Sequence, residues 1–120
     1  MKNLVLVALL SLLPFVAQAN QWVFGQVQML EDYGSYNNGF YEVLIKLKNQ
    51  RWQGTGDGGA NCTDRFKVKI GEQGITENEK DRIFSLMLSA YMGGKNVGLF
   101  VDPTSGPYCS VQIGRIGDGF

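Results

Sequence analysis

The sequence predicts a mainly β domain of the α+β type: five strands forming a small barrel, with one helix between strands three and four. Three observations carry that expectation. Apolar and polar residues alternate with a period of two through most of residues 20–120, as they do in strands with one dry and one wet face. The period switches once to helical spacing, between residues 77 and 92. Turn-rich segments separate the runs, and none is long enough to link two domains.

The first strand is expected near residues 21–30, where Val23, Val27 and Met29 interleave with Gln26 and Gln28. A hairpin loop, Tyr33 to Gly39, leads to a second strand near 40–48. There Tyr41, Val43, Ile45 and Leu47 alternate with Glu42, Lys46 and Lys48. Gln50 to Asn61 reads as a glycine-rich loop, and Phe66, Val68 and Ile70 against Lys67 and Lys69 as strand three.

Thr76-Glu77-Asn78-Glu79 is a capping box, in which the threonine accepts from the backbone of Glu79 and the glutamate reaches back. Ile83, Phe84, Met87, Leu88, Ala90 and Tyr91 then recur at helical spacing, and Gly93-Gly94 supplies a left-handed stop. Glu77 and Glu79 also suit the positive end of the helix dipole. Asn96 to Val101 and Tyr108 to Ile116 complete the strands, with a turn-rich stretch from Asp102 to Pro107 between them. Three strands, a helix and two strands is the element order of the OB-fold, a five-stranded, partly open barrel. A generic helix-on-sheet α+β domain is the alternative.

Residues 1–19 read as a secretory signal peptide. Lys2 precedes an apolar run from Leu4 to Val16, and Ala17-Gln18-Ala19 has the small-x-small form of a cleavage site. About 13 apolar residues fall short of the roughly 20 that span a bilayer. The expectation is therefore an exported chain, periplasmic or secreted, with no membrane span after cleavage. Residues 20–120 would then form a single domain.

The charges balance, 11 basic against 11 acidic, and losing Lys2 leaves 10 against 11. That balance gives no global argument for nucleic acid or an anionic membrane as partner. Histidine is absent, which removes the most frequent general base and metal ligand. Cys62 and Cys109 are the only cysteines, and in an oxidising compartment such a pair is most simply a disulfide. It would tie the start of strand three to strand five, stabilising by roughly 4 kcal/mol on the chain-entropy estimate.

No catalytic constellation emerges. Gly54-Thr55-Gly56-Asp57-Gly58-Gly59 lacks the Lys-Ser/Thr of a phosphate loop. Asp57 and Asp64 lack the spacing of a calcium loop. Nothing places two carboxylates in one cleft as a glycosidase requires. The expectation is no enzyme, no metal and no cofactor.

Lys46, Lys48, Lys67 and Lys69 fall on the outward faces of strands two and three, with Arg51 and Arg65 near the strand ends. OB-folds often use that surface for oligonucleotides. Export and neutral charge favour a solvated face instead, so no nucleic-acid partner is expected. The loop from Asp32 to Gly39 offers Tyr33, Ser35, Tyr36, Asn37 and Asn38 as candidate ligand-binding residues. Tyrosine rings stack on sugars while short polar side chains bond their hydroxyls, and the same mixture serves protein recognition. The loop of residues 102–107 would frame the same site. Trp22 and Trp52 fit core or interface equally well.

The run from Ile83 to Phe100, followed by Cys109, resembles the helix-glycine-strand passage of small exported bacterial OB-fold proteins. These include the B subunits of AB5 toxins of the subtilase-cytotoxin and typhoid-toxin type. The resemblance covers about a third of the chain. It implies an OB-fold, a homo-oligomeric ring of five, and glycans bound on the outside. Those subunits carry a cysteine in strand two, where this chain has none, and no binding residue transfers by alignment. The functional expectation is an exported, non-enzymatic binding domain for a cell-surface glycan or protein. A monomeric periplasmic inhibitor or protein-interaction module is the alternative.

Overall fold

The computed structural model describes residues 20–32, 42–53, 62, 64–104 and 107–117. The strands are β1 (Gln21–Asp32), β2 (Glu42–Trp52), β3 (Arg65–Lys69), β4 (Asn96–Asp102) and β5 (Cys109–Ile116). One helix, α1 (Glu77–Gly93), lies between β3 and β4. The sheet runs β1-β2-β3-β5-β4, and β4 pairs back onto β1 to close it. The β3–β5 pair is parallel and the other pairs are antiparallel.

Alternation puts one side chain in two inside the ring. Val23, Val27, Val43, Ile45, Leu47, Phe66, Val68, Val97, Leu99, Val101 and Val111 fill it. Ile83, Met87 and Ala90 of α1 complete this core, and the helix packs mainly on β1 and β5. Three residues at i, i+4 and i+7 make a narrow stripe. The expected helical face was wider: Leu88 and Tyr91 are 41% and 52% exposed.

The helix is capped as its sequence predicts. Glu79 N–H donates to Thr76 Oγ1 at 3.3 Å, and that hydroxyl donates to Glu79 Oε1 at 3.1 Å. At the other end Gly94 takes φ 63° and its N–H donates to the Ala90 carbonyl, a geometry that costs glycine little.

Two departures come from register. The β1–β2 pairing slips between Phe24 and Gln26 and again between Val27 and Met29. Simple alternation predicts Met29 as a core residue, but the second slip turns Leu30 toward the core instead. Strand β2 also runs on to Trp52, into what the sequence suggests is loop. Asn49 takes the left-handed φ of 53°, absorbing the irregularity so that Arg51 and Trp52 still pair with Phe24 and Val23.

Cys62 and Cys109 form the expected disulfide, with Cα atoms 5.5 Å apart and both residues fully buried. It joins Cys62, three residues before β3, to the first residue of β5, beside the short parallel pairing of Phe66 with Cys109. No helix among the described residues is long and apolar enough to cross a membrane.

Candidate functional site

The outward face of β1, β2 and β3 carries the richest mixture of chemistry. Register builds it in two rows. Met29 pairs with Lys46, which pairs with Arg65; Glu31 pairs with Leu44, which pairs with Lys67. Tyr108, one residue before β5, closes the end nearest Arg65. Met29, Glu31, Leu44, Lys46, Arg65 and Tyr108 line a cleft of about 250 Å³. Its floor is apolar and its walls carry an aromatic ring, one carboxylate and two cations. Such a surface accepts a small polar ligand with an apolar face.

Carboxylates from the flanking turns hold the cations of this face. Lys46 Nζ lies 3.7 Å from Asp64 Oδ2 and Arg65 Nε 3.9 Å from Asp64 Oδ1. Lys67 Nζ lies 3.0 Å and Lys69 Nζ 4.0 Å from the Glu72 carboxylate. Partly exposed pairs of this kind contribute little stability. Their effect is to lower the positive field over the face and to fix the lysine chains.

Glu72 is the centre of a tighter cluster. Ser110, almost fully buried, donates to Glu72 Oε1 at 2.8 Å. Burial pushes the Glu72 carboxyl up, but the hydrogen bonds from Ser110 and Lys67 and the charges of Lys67 and Lys69 outweigh it. The carboxyl sits below its ordinary value. Alongside, Asn20 Nδ2 donates to Gln73 Oε1 at 2.9 Å and to Gln112 Oε1 at 3.0 Å. Asp102 Oδ1 accepts from the Thr104 N–H and hydroxyl, at 2.9 and 2.7 Å. These bonds tie Asn20, just before β1, to Gln73 and to Gln112 of β5, and order the residues after β4 around Asp102.

The loop candidates Tyr33, Ser35, Tyr36, Asn37 and Asn38 lie outside the described residues, as do residues 54–59. β1 ends at Asp32, one residue after Glu31 of the cleft, and β2 begins at Glu42. Trp52 packs on the core, its ring centroid 6.0 Å from that of Phe66; Trp22 faces outward. Among the described residues no cluster of three or more carboxylates or cysteines is arranged to hold a metal ion.

Met29, Glu31, Leu44 and Tyr108 are absent from the sequence-derived candidates. Leu44 gave a signal, being an apolar residue among the polar positions of β2, but the others needed the register. A larger hollow, about 740 Å³, borders Asn78, Asp81, Arg82, Ser85, Leu86 and Ser89. All its described lining comes from one face of α1, which cannot enclose a ligand alone. Arg82, Ser85 and Ser89 are exposed there, and Met92 is exposed further along the helix.

Compared with protein-family models, curated proteins and solved structures, the chain matches none.

Proposed function

We propose that the chain is an exported, non-enzymatic binding domain of OB type that takes a glycan in the β1–β2–β3 cleft. The observation that carries this reading is the cleft itself. Tyr108 and the Met29–Leu44 floor offer apolar surface to a sugar ring, while Glu31, Lys46 and Arg65 stand at hydrogen-bonding positions around it. The strand order β1-β2-β3-β5-β4 and a helix between β3 and β4 support the OB assignment. The buried Cys62–Cys109 disulfide supports an oxidising, exported setting. Assembly into a ring of five rests on the toxin-subunit resemblance.

The test is a glycan array probed with residues 20–120. Capture is expected for the wild type and lost in Tyr108→Ala and Glu31→Ala variants that melt normally. A blank array for the wild type ends the glycan reading, and a monomeric mass by light scattering ends the ring.

A further inference from the structure

We propose that the outward face shared by β1, β4 and β5 is a second binding site, a docking platform for an acidic protein segment, anchored by Arg115 on Trp22. The platform is assembled by register. Trp22 pairs with Phe100, which pairs with Ile113; Phe24 pairs with Gly98, which pairs with Arg115. Gly98 makes room for the rings: a Cβ there would stand 3.1 Å from two Phe24 ring carbons and 3.4 Å from Trp22. With no side chain beneath them, the rings of Trp22 and Phe24 lie nearly parallel, 5° apart with centroids at 6.1 Å. The Phe100 centroid is 5.1 Å from that of Trp22. Ile113 extends the apolar surface and is 43% exposed.

The guanidinium carbon of Arg115 sits 4.0 Å from the Trp22 centroid, a cation–π contact that holds its planar fork in place. Arg51 on β2 approaches Phe24 in the same way, at 5.9 Å. Lys48 occupies the next row, beside Gln26 and Asn96.

Charge names the occupant. Among the described residues no carboxylate pairs with Arg115 or Lys48, whereas Asp64 and Glu72 hold Lys46, Arg65, Lys67 and Lys69. Among the described residues, the charges of Arg115 and Lys48 therefore stand near the rings without a carboxylate partner. A stacked guanidinium keeps its N–H edge for a carboxylate, which it binds in bidentate fashion. Single-stranded nucleic acid is a poorer fit, because it needs a charged track along several phosphates, and Lys46, Arg65, Lys67 and Lys69 of the adjoining strands are held by Asp64 and Glu72. Both β1 and β4 are paired on both sides, so a partner cannot add a strand to either of them and docks on their rings through side chains. Tryptophan and arginine are the residue types that most often anchor such contacts.

The experiment titrates residues 20–120 with a fluorescein-labelled peptide alternating glutamate with phenylalanine. The glutamine-for-glutamate peptide and oligothymidylate serve as competitors. Saturable binding that weakens with salt is expected, with affinity falling roughly tenfold or more in Arg115→Gln. Arg115→Lys should not rescue it, since an ammonium lacks the stacked fork. Both changes are at an exposed residue, and an unchanged melting temperature confirms the fold. Tyr108→Ala should bind the peptide as the wild type does, which separates this platform from the glycan cleft. Four results would overturn the proposal: no saturable binding, equal affinity for the glutamine peptide, full affinity in Arg115→Gln, or displacement by oligothymidylate. Self-association of the wild type that Arg115→Gln abolishes would overturn it too, by making a second copy the occupant.

Discussion

The Ser110 hydroxyl and the Lys67 ammonium converge on one oxygen, Oε1 of Glu72, at 2.8 and 3.0 Å. This joins β5, β3 and the turn after β3 through one carboxylate, and it makes stability depend on pH. Burial favours the protonated form of Glu72, but Ser110, Lys67 and Lys69 favour the ionised form more strongly, so its folded-state pKa is depressed.

A depressed carboxyl contributes stability that is fully present above its unfolded pKa, about 4.3. That contribution is lost as pH falls through the lower folded value. The melting temperature of the wild type should therefore drop as pH is lowered below about 4.3. In Glu72→Gln it should be lower at neutral pH, with a shallower fall in acid. Equal acid slopes for the two proteins would show that Glu72 is not the linked group.

Reducing the Cys62–Cys109 bond should destabilise the domain more than any surface change. The bridge joins residues 47 apart in sequence, for which the loop-entropy estimate is roughly 4 kcal/mol. Cys62→Ser with Cys109→Ser should lower the denaturant midpoint accordingly, and reductant should then have no effect on that variant. Because both cysteines are held in the bond, the protein should resist alkylation until it is reduced, and burial should make that reduction slow while the domain stays folded.

Two glycines should respond differently to a methyl group. A Cβ on Gly25 would stand 2.8 Å from the Lys48 carbonyl oxygen, a backbone atom that moves only if β1 and β2 separate. A Cβ on Gly98 would press on the Phe24 and Trp22 rings at 3.1 and 3.4 Å, and rings can tilt. Overpacking costs about 1–3 kcal/mol. Gly25→Ala belongs at the upper end of that range and Gly98→Ala at the lower end. Gly98→Ala should also change the tryptophan emission, because it lifts Trp22 from the sheet. Chemical denaturation and fluorescence on both variants check the order.

The strands around Val23, Val43, Phe66, Leu99 and Val111 were legible because burial on one face leaves a period of two. The helix was legible through Thr76, Glu79 and Gly94, whose local geometry needs no tertiary partner. The sites were less so. Met29 and Leu30 exchange faces at a slip that no composition announces. Tyr108 shares a cleft with Arg65, and Trp22 meets Arg115, only once strands distant in sequence are placed side by side. The lysines of β2 and β3 gave a basic stripe in the sequence; in space, Asp64 and Glu72 reach Lys46, Lys67 and Lys69 from turns, while Lys48 lies beside Gln26.

Asn49 tests how far one backbone angle controls this arrangement. It is exposed, with φ at 53°, and it sits where β2 resumes pairing so that Arg51 faces Phe24. Asparagine tolerates the left-handed region, glycine enters it freely, and a β-branched residue is strained there. Asn49→Gly should leave the melting temperature within a degree or two, since the native angle is retained and only a small entropic cost is added. Asn49→Val should cost about 1–2 kcal/mol. Its damage should be local: the Val23–Trp52 and Phe24–Arg51 pairs should lose protection in amide hydrogen exchange while Val43 to Leu47 keep theirs. Uniform loss of protection across β2 would mean that the strand responds as one unit and that Asn49 is not a separable hinge of register.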